Sequence, residues 1–249
     1  MRPKIVLILV ALCASSHAGA AERQPMPPRP YDIVAVKSAP PLADATFDEF
    51  RKALAAAAKV RRYADLTSLV TPQGFFWDRD FAQAYERRRP GVDNLAAAVG
   101  LERNDGAGWD ALARFAAGAE VEAQEARPGT VCAPARPHFD VVLYARLLDR
   151  TFTTAADWAY PRAAKLAVRA TPQPGGALVA ELGAHFVRLR GSGGDGKATA
   201  RDRWTEIVVP SGAPGYVAPG SLGSLAEPQL CFAKDALGRW HIVGFVAGG

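Results

Sequence analysis

The sequence predicts an α+β fold in which an N-terminal bundle of short helices is followed by a small C-terminal β-barrel. Between residues 46 and 125 apolar side chains recur at steps of three and four, the helical period. Beyond Trp158 the pattern changes to short apolar runs separated by Pro, Gly and polar clusters, which is strand spacing for a small barrel. The 249-residue chain is also 49% hydrophobic and 22% charged, enough to bury a sizeable core and too polar to be mainly membrane-embedded.

The chain opens with Arg2 and Lys4 ahead of an apolar run over residues 5–14, then the small residues Ala18, Gly19, Ala20 and Ala21. A bilayer span needs about 20 apolar residues, so residues 1–20 read as a signal peptide cut after Ala20, leaving no membrane segment after cleavage. A lipoprotein signal ending at Cys13 is the rival, and Leu12 stands where a small residue belongs. Cleavage removes Arg2 and Lys4 and no acid, which lowers the net charge from +5 to +3. The basic residues are spread along the chain and no RNA- or DNA-binding motif is present, so a nucleic-acid partner is not expected. The expected location is periplasmic or secreted.

Two cysteines survive maturation, Cys132 and Cys231. An even pair in an exported chain reads first as a disulfide. The alternatives are a catalytic thiol with His138 or His241 as its base, or thiols that are free or paired between molecules.

Six prolines between residues 24 and 41 break both helix and sheet ladder, so residues 21–45 read as an extended tether. Thr46 and Glu49 have capping-box spacing and begin a helix over 46–61, with Phe47, Phe50, Leu54 and Ala57 or Ala58 on one face. A short helix over 63–70 stops before Thr71-Pro72, and a third over 78–89 is stopped by Pro90-Gly91. Asp93 caps another through Ala98, and residues 109–117 follow the glycines at 106 and 108. Residues 46–125 form the helical domain, and 126–157 a linker with a junction helix over 139–150. Residues 158–249 form the barrel domain, with strands over 165–169, 178–182, 186–189, 204–209, 229–233 and 240–246. The four glycines among residues 191–196 read as a barrel loop, since the Lys-Ser or Lys-Thr of a phosphate cradle is missing.

Several ordered pieces of this second half resemble the bacterial SH3-like domain. They are Leu166-Ala167-Val168-Arg169-Ala170, Leu178-Val179-Ala180-Glu181-Leu182-Gly183, Phe186-Val187-Arg188-Leu189, Trp204-Thr205-Glu206-Ile207-Val208-Val209 and Gly215-Tyr216-Val217. The matching core covers 165 to about 222, roughly a quarter of the chain, with an insertion over 192–203 and an added hairpin over 229–246 outside the minimal domain. The arrangement is similar to uncharacterised exported proteobacterial proteins. The resemblance implies an SH3-like barrel that binds or targets without catalysis, often beside cell-wall enzymes.

The residues themselves assemble no catalytic motif. His138, His185 and His241 are far apart in sequence, so no metal site and no cofactor are expected. Glu120, Glu122 and Glu125, and Asp78 with Asp80, read as polar element ends rather than acid/base pairs. Arg87, Arg88 and Arg89 read as a solvated helix end, and Phe75, Phe76 and Trp77 as core or domain contacts. Trp204 and Trp240 are assigned to the barrel core. Trp158, Tyr160 and Tyr216 are the candidate ligand-binding residues, because Trp and Tyr offer broad area with a polar tip. The expected function is non-catalytic binding of a cell-envelope peptide, glycan or protein partner. The alternatives are a peptidoglycan hydrolase or accessory protein with the barrel as targeting module, and an inert assembly subunit. Neither ligand identity nor oligomeric state is legible.

Overall fold

A computed structural model describes residues 29–78, 88–190 and 204–248. In chain order the elements are β1 (Val36–Lys37), α1 (Ala45–Val60), a 3-10 turn (Tyr63–Leu66), β2 (Phe76–Asp78), α2 (Gly91–Val99), α3 (Ala107–Ala117), β3 (Glu122–Ala123), β4 (Thr130–Ala133) and β5 (His138–Phe139). Then come α4 (Val141–Thr151), a second 3-10 turn (Ala155–Asp157), β6 (Trp158–Pro161), β7 (Leu166–Arg169), β8 (Leu178–Leu182), β9 (Val187–Leu189), β10 (Thr205–Val208), β11 (Pro214–Val217), β12 (Leu222–Gly223), β13 (Gln229–Lys234) and β14 (Trp240–Val246).

Local patterning explains most of these elements. Helix α1 buries Phe47, Phe50, Leu54, Ala57 and Ala58, the face its spacing predicts. Its start differs from the expected capping box. Asp44 is the cap, its carboxylate accepting from the Thr46 and Phe47 amides at 2.9 and 3.3 Å, while Glu49 pairs with Lys52 at 2.8 Å. The helix expected over 63–70 shrinks to one 3-10 turn. Pro90 and Gly91 open α2, with Asp93 inside its first turn. Asp140 caps α4 by accepting from Val142 and Leu143 at 2.8 and 3.0 Å. The helix expected over 78–89 lies mostly outside the described residues, as does the glycine-rich stretch 191–196; Asp78 itself ends β2.

The expected fold class, an N-terminal bundle followed by a small SH3-like barrel, is overturned. The described residues form four α-helices and three sheets of two, five and seven strands, none closed. The five-stranded sheet runs β2-β14-β13-β4-β3 and the seven-stranded sheet β12-β6-β9-β10-β11-β7-β8. Strands β7 to β11 sit where the sequence places strands. Closure would require the end strands β8 and β12 to pair; β12 spans two residues and bonds β6, while β8 bonds β7.

Helices α1, α2 and α3 pack on the five-stranded sheet, so they form no bundle of their own. Phe47, Phe50, Leu54, Leu95, Leu112 and Phe115 share a core with Leu230, Phe232, Ile242 and Phe245 of the C-terminal hairpin β13–β14. That hairpin, assigned by sequence to the barrel, pairs instead with β4 and, in parallel, with β2. The reason is burial on both faces: Gln229, Leu230, Cys231 and Phe232 are all buried, with helices on one side and Phe76, Val243 and Val246 beside the cysteines on the other. The seven-stranded sheet therefore lies between β4 and β13 in sequence and has its own core of Leu166, Val168, Val187, Ile207 and Val217.

A third cluster ties the parts together. Tyr31, Val34 and Val36 pack with Tyr144 and Leu147 of α4 on Trp158, Phe186 and Val208. Part of the Pro-rich stretch is thus held down: the Tyr31 hydroxyl donates to the Val208 carbonyl at 2.7 Å, and β1 pairs with β5. Cys132 and Cys231 stand opposite each other on β4 and β13 and are joined as a disulfide. Among the described residues no helix is long and apolar enough to cross a membrane.

Candidate functional site

A cleft of about 650 Å³ opens where α2 and α3 face the loops of the seven-stranded sheet. One wall is the last turn of α2, Ala98 and Val99, and one side of α3, Ala111, Arg114, Phe115 and Ala117. Alanines at three of these positions leave room that larger side chains would fill. The other wall comes from Arg162, just past β6, and from Gly220, Glu227 and Pro228 on the return toward β13. Phe245 of β14 and Pro134 contribute apolar surface. Pockets of this volume, apolar with a few placed polar groups, commonly hold ligands.

Each wall carries one cation and one anion. Arg162 donates from Nε to the Leu222 carbonyl at 3.0 Å and pairs with Glu227, so its guanidinium is fixed at the rim. Arg114 sits in the last turn of α3, where a cation complements the helix dipole. Glu120 follows that helix. Its backbone is fixed on two sides, bridging to Pro41 and accepting from the Ala135 amide at 3.1 Å. The arrangement sets charged groups, two of them paired with each other, beside an apolar lining.

A second groove, about 550 Å³, is lined by Pro40, residues 121–125, Arg136 and His138 beside Cys132. Its central carboxylate has a structural task. Glu122 accepts from the buried Gln229 amide at 2.7 Å and from the Arg136 backbone at 2.8 Å, tying β3 to β13.

The three sequence-chosen ligand residues are not brought to either cleft. Trp158 is 0% exposed; its indole donates to Thr153 Oγ1 at 2.7 Å and the Tyr31 ring meets it edge-on at 4.9 Å. Tyr160 is 8% exposed, and a Cβ on Gly223 would stand 2.6 Å from its ring, so glycine is what lets β12 approach. Burial pushes the Tyr160 hydroxyl up to about 12. Both are core residues of the third cluster, because β6 is covered on one face by the N-terminal arm and α4. Tyr216 is half-buried on β11 opposite Glu206. Trp240, assigned to the barrel core, lies against α1, its ring 4.9 Å from that of Phe47 and its indole donating to Thr46 Oγ1 at 3.1 Å.

Among the described residues the histidines and the disulfide sulfurs are dispersed. His138 is exposed on β5, and His185 sits at the bridge to Ala35. His241 Nε2 lies 3.2 Å from Asp235 Oδ2 in the β13–β14 turn. Asp235 is a turn lock: it accepts from the Arg239 and Leu237 amides and the Arg239 and His241 side chains, which hold its carboxyl well below the usual carboxylate range. Both sulfurs are consumed by the disulfide, so the thiol-nucleophile alternative has no thiol to act with. Among the described residues no group of three or more His, Cys, Asp or Glu is arranged to hold a metal ion.

Sequence reading missed the cleft because Arg114, Glu120, Arg162 and Glu227 come from four separate segments. The one local signal is the set of alanines on α2 and α3, which reads equally as helix propensity. Compared with protein-family models, with curated proteins and with solved structures, the chain matches none.

Proposed function

We propose that this is an exported binding protein that holds a cell-envelope peptide, glycan or protein partner without catalysis, and that the cleft between α2, α3 and the sheet loops is where it does so. The observation that carries the reading is that cleft: apolar on its floor, with Arg and Glu on both walls. The charged, secretion-like N-terminus and the disulfide support an oxidising compartment, the periplasm or the exterior.

Retention of the mature protein on purified peptidoglycan and on immobilised envelope extract tests this, with Ala111→Trp as the cleft-filling variant. The expected result is capture on at least one matrix and a loss of about tenfold or more in Ala111→Trp, the scale of blocking a buried anchor. Retention on neither matrix would overturn the function, and undiminished capture of the variant would move the site elsewhere.

A further inference from the structure

The charges that line the cleft between α2, α3 and the sheet loops are not all matched. Arg162 and Glu227 form an ion pair, and Arg162 also donates to the Leu222 carbonyl at 3.0 Å. Arg114 is engaged as well. Glu120 differs: it is exposed, and its carboxylate has no ion pair or hydrogen bond among the described residues. The apolar part of the lining is placed the other way. Phe115 and Phe245 are each 7% exposed, with their rings edge-on at 6.3 Å. The unmatched negative charge therefore stands in water at the mouth, and the rings lie within. The cleft volume of about 650 Å³ is in the range that holds drug-sized ligands.

We propose that the cleft captures the amino-terminal residue of a peptide, with a large apolar side chain against Phe115 and Phe245 and the α-ammonium at the mouth beside Glu120. The inference rests on the reading of this cleft as the binding site and names its ligand class. Charge complementarity selects a cation, because Glu120 is the carboxylate left unmatched, and the same charge opposes a peptide carboxyl terminus. The order of charge and burial then selects among cations. In an amino-terminal residue the ammonium sits on the Cα and the side chain leads away from it, so the apolar group can enter while the charge stays hydrated beside Glu120. A lysine side chain has the reverse order, an apolar stem with the charge at its tip. Entering the cleft would carry that ammonium onto the apolar floor and away from its carboxylate, at a cost in desolvation.

Titration of the mature chain with Leu-Ala-Ala-amide and with its N-acetyl form, followed by NMR amide shifts, tests this. The free-amine peptide should bind about three- to fivefold more tightly at low salt, the scale of a solvent-exposed ion pair. That preference should fade at about 1 M salt, where charges are screened over about 3 Å. Glu120→Gln should bring the two peptides to equal affinity with its melting temperature unchanged, and Ala111→Trp should weaken both. Equal or tighter binding of the acetylated peptide overturns the proposal, as does a preference that survives Glu120→Gln, or no shift with either peptide. Acetyl-Lys-Ala-Ala-amide binding as tightly as the free-amine peptide would also overturn it, in favour of a lysine. An amine preference in a chain that neither peptidoglycan nor envelope extract retains would remove the envelope partner and uphold this inference. Retention lost in Ala111→Trp without an amine preference would do the reverse.

Discussion

His185 shows how one side chain couples the N-terminal arm to the seven-stranded sheet. It bridges to Ala35, the next amide, of Phe186, donates to the Val34 carbonyl at 3.0 Å, and the imidazole Nε2 is buried with no hydrogen-bond partner among the described residues. Burial lowers its pKa below the usual imidazole range. The unfolded chain then binds a proton at mildly acidic pH that the folded chain does not, so this contribution is complete above the ordinary imidazole pKa and is lost as pH falls through it. Urea midpoints measured from neutral to acidic buffers should decline in the native chain, and the slope through the imidazole range should flatten in His185→Phe. An unchanged slope would remove His185 as the cause. None of this was legible in the sequence, where a lone histidine between Ala184 and Phe186 gives no sign of what covers it. The cysteine pairing was legible, because compartment and parity constrain two sulfurs more tightly than any pattern constrains an imidazole.

Among the elements, β13 has the greatest consequence for packing. Phe232 is 0% exposed and meets Phe47 and Phe50 edge-on at 5.3 and 5.7 Å, joining α1 to the sheet. Phe232→Ala should cost about 3–5 kcal/mol in urea unfolding, the range for removing a buried aromatic. A loss under about 1 kcal/mol would mean that the α1–sheet contact is not the main core. Period and face could be read locally: the five buried residues of α1 and the strands of the resembling segment lie where spacing puts them. Partners could not. An alternating or apolar strand states which side it buries and says nothing about which strand it joins, so β13 and β14 were assigned to the nearest sheet in sequence instead of to β4 and β2. The same limit hid the cleft, whose four charged residues meet through tertiary packing alone.

Across the whole molecule, the chain leaves the first sheet at β4, builds the seven-stranded sheet, and returns to β4's side as β13. The Cys132–Cys231 bond fastens departure to return, with a sequence separation of 99. Consider tension applied between Arg29 and Gly248. The covalent load passes from residue 29 to 132, crosses the sulfurs, and continues from 231 to 248; every residue from 133 to 230 hangs outside the line of force. Single-molecule pulling of the oxidised protein should therefore give a fully extended length about 330 Å shorter than that of the reduced protein, at about 3.4 Å for each of the bypassed residues. Equal lengths would show that the sulfurs are unbonded. A protein tethered in an envelope under strain could thus have its first sheet pulled apart while the looped-off sheet feels no tug along its backbone.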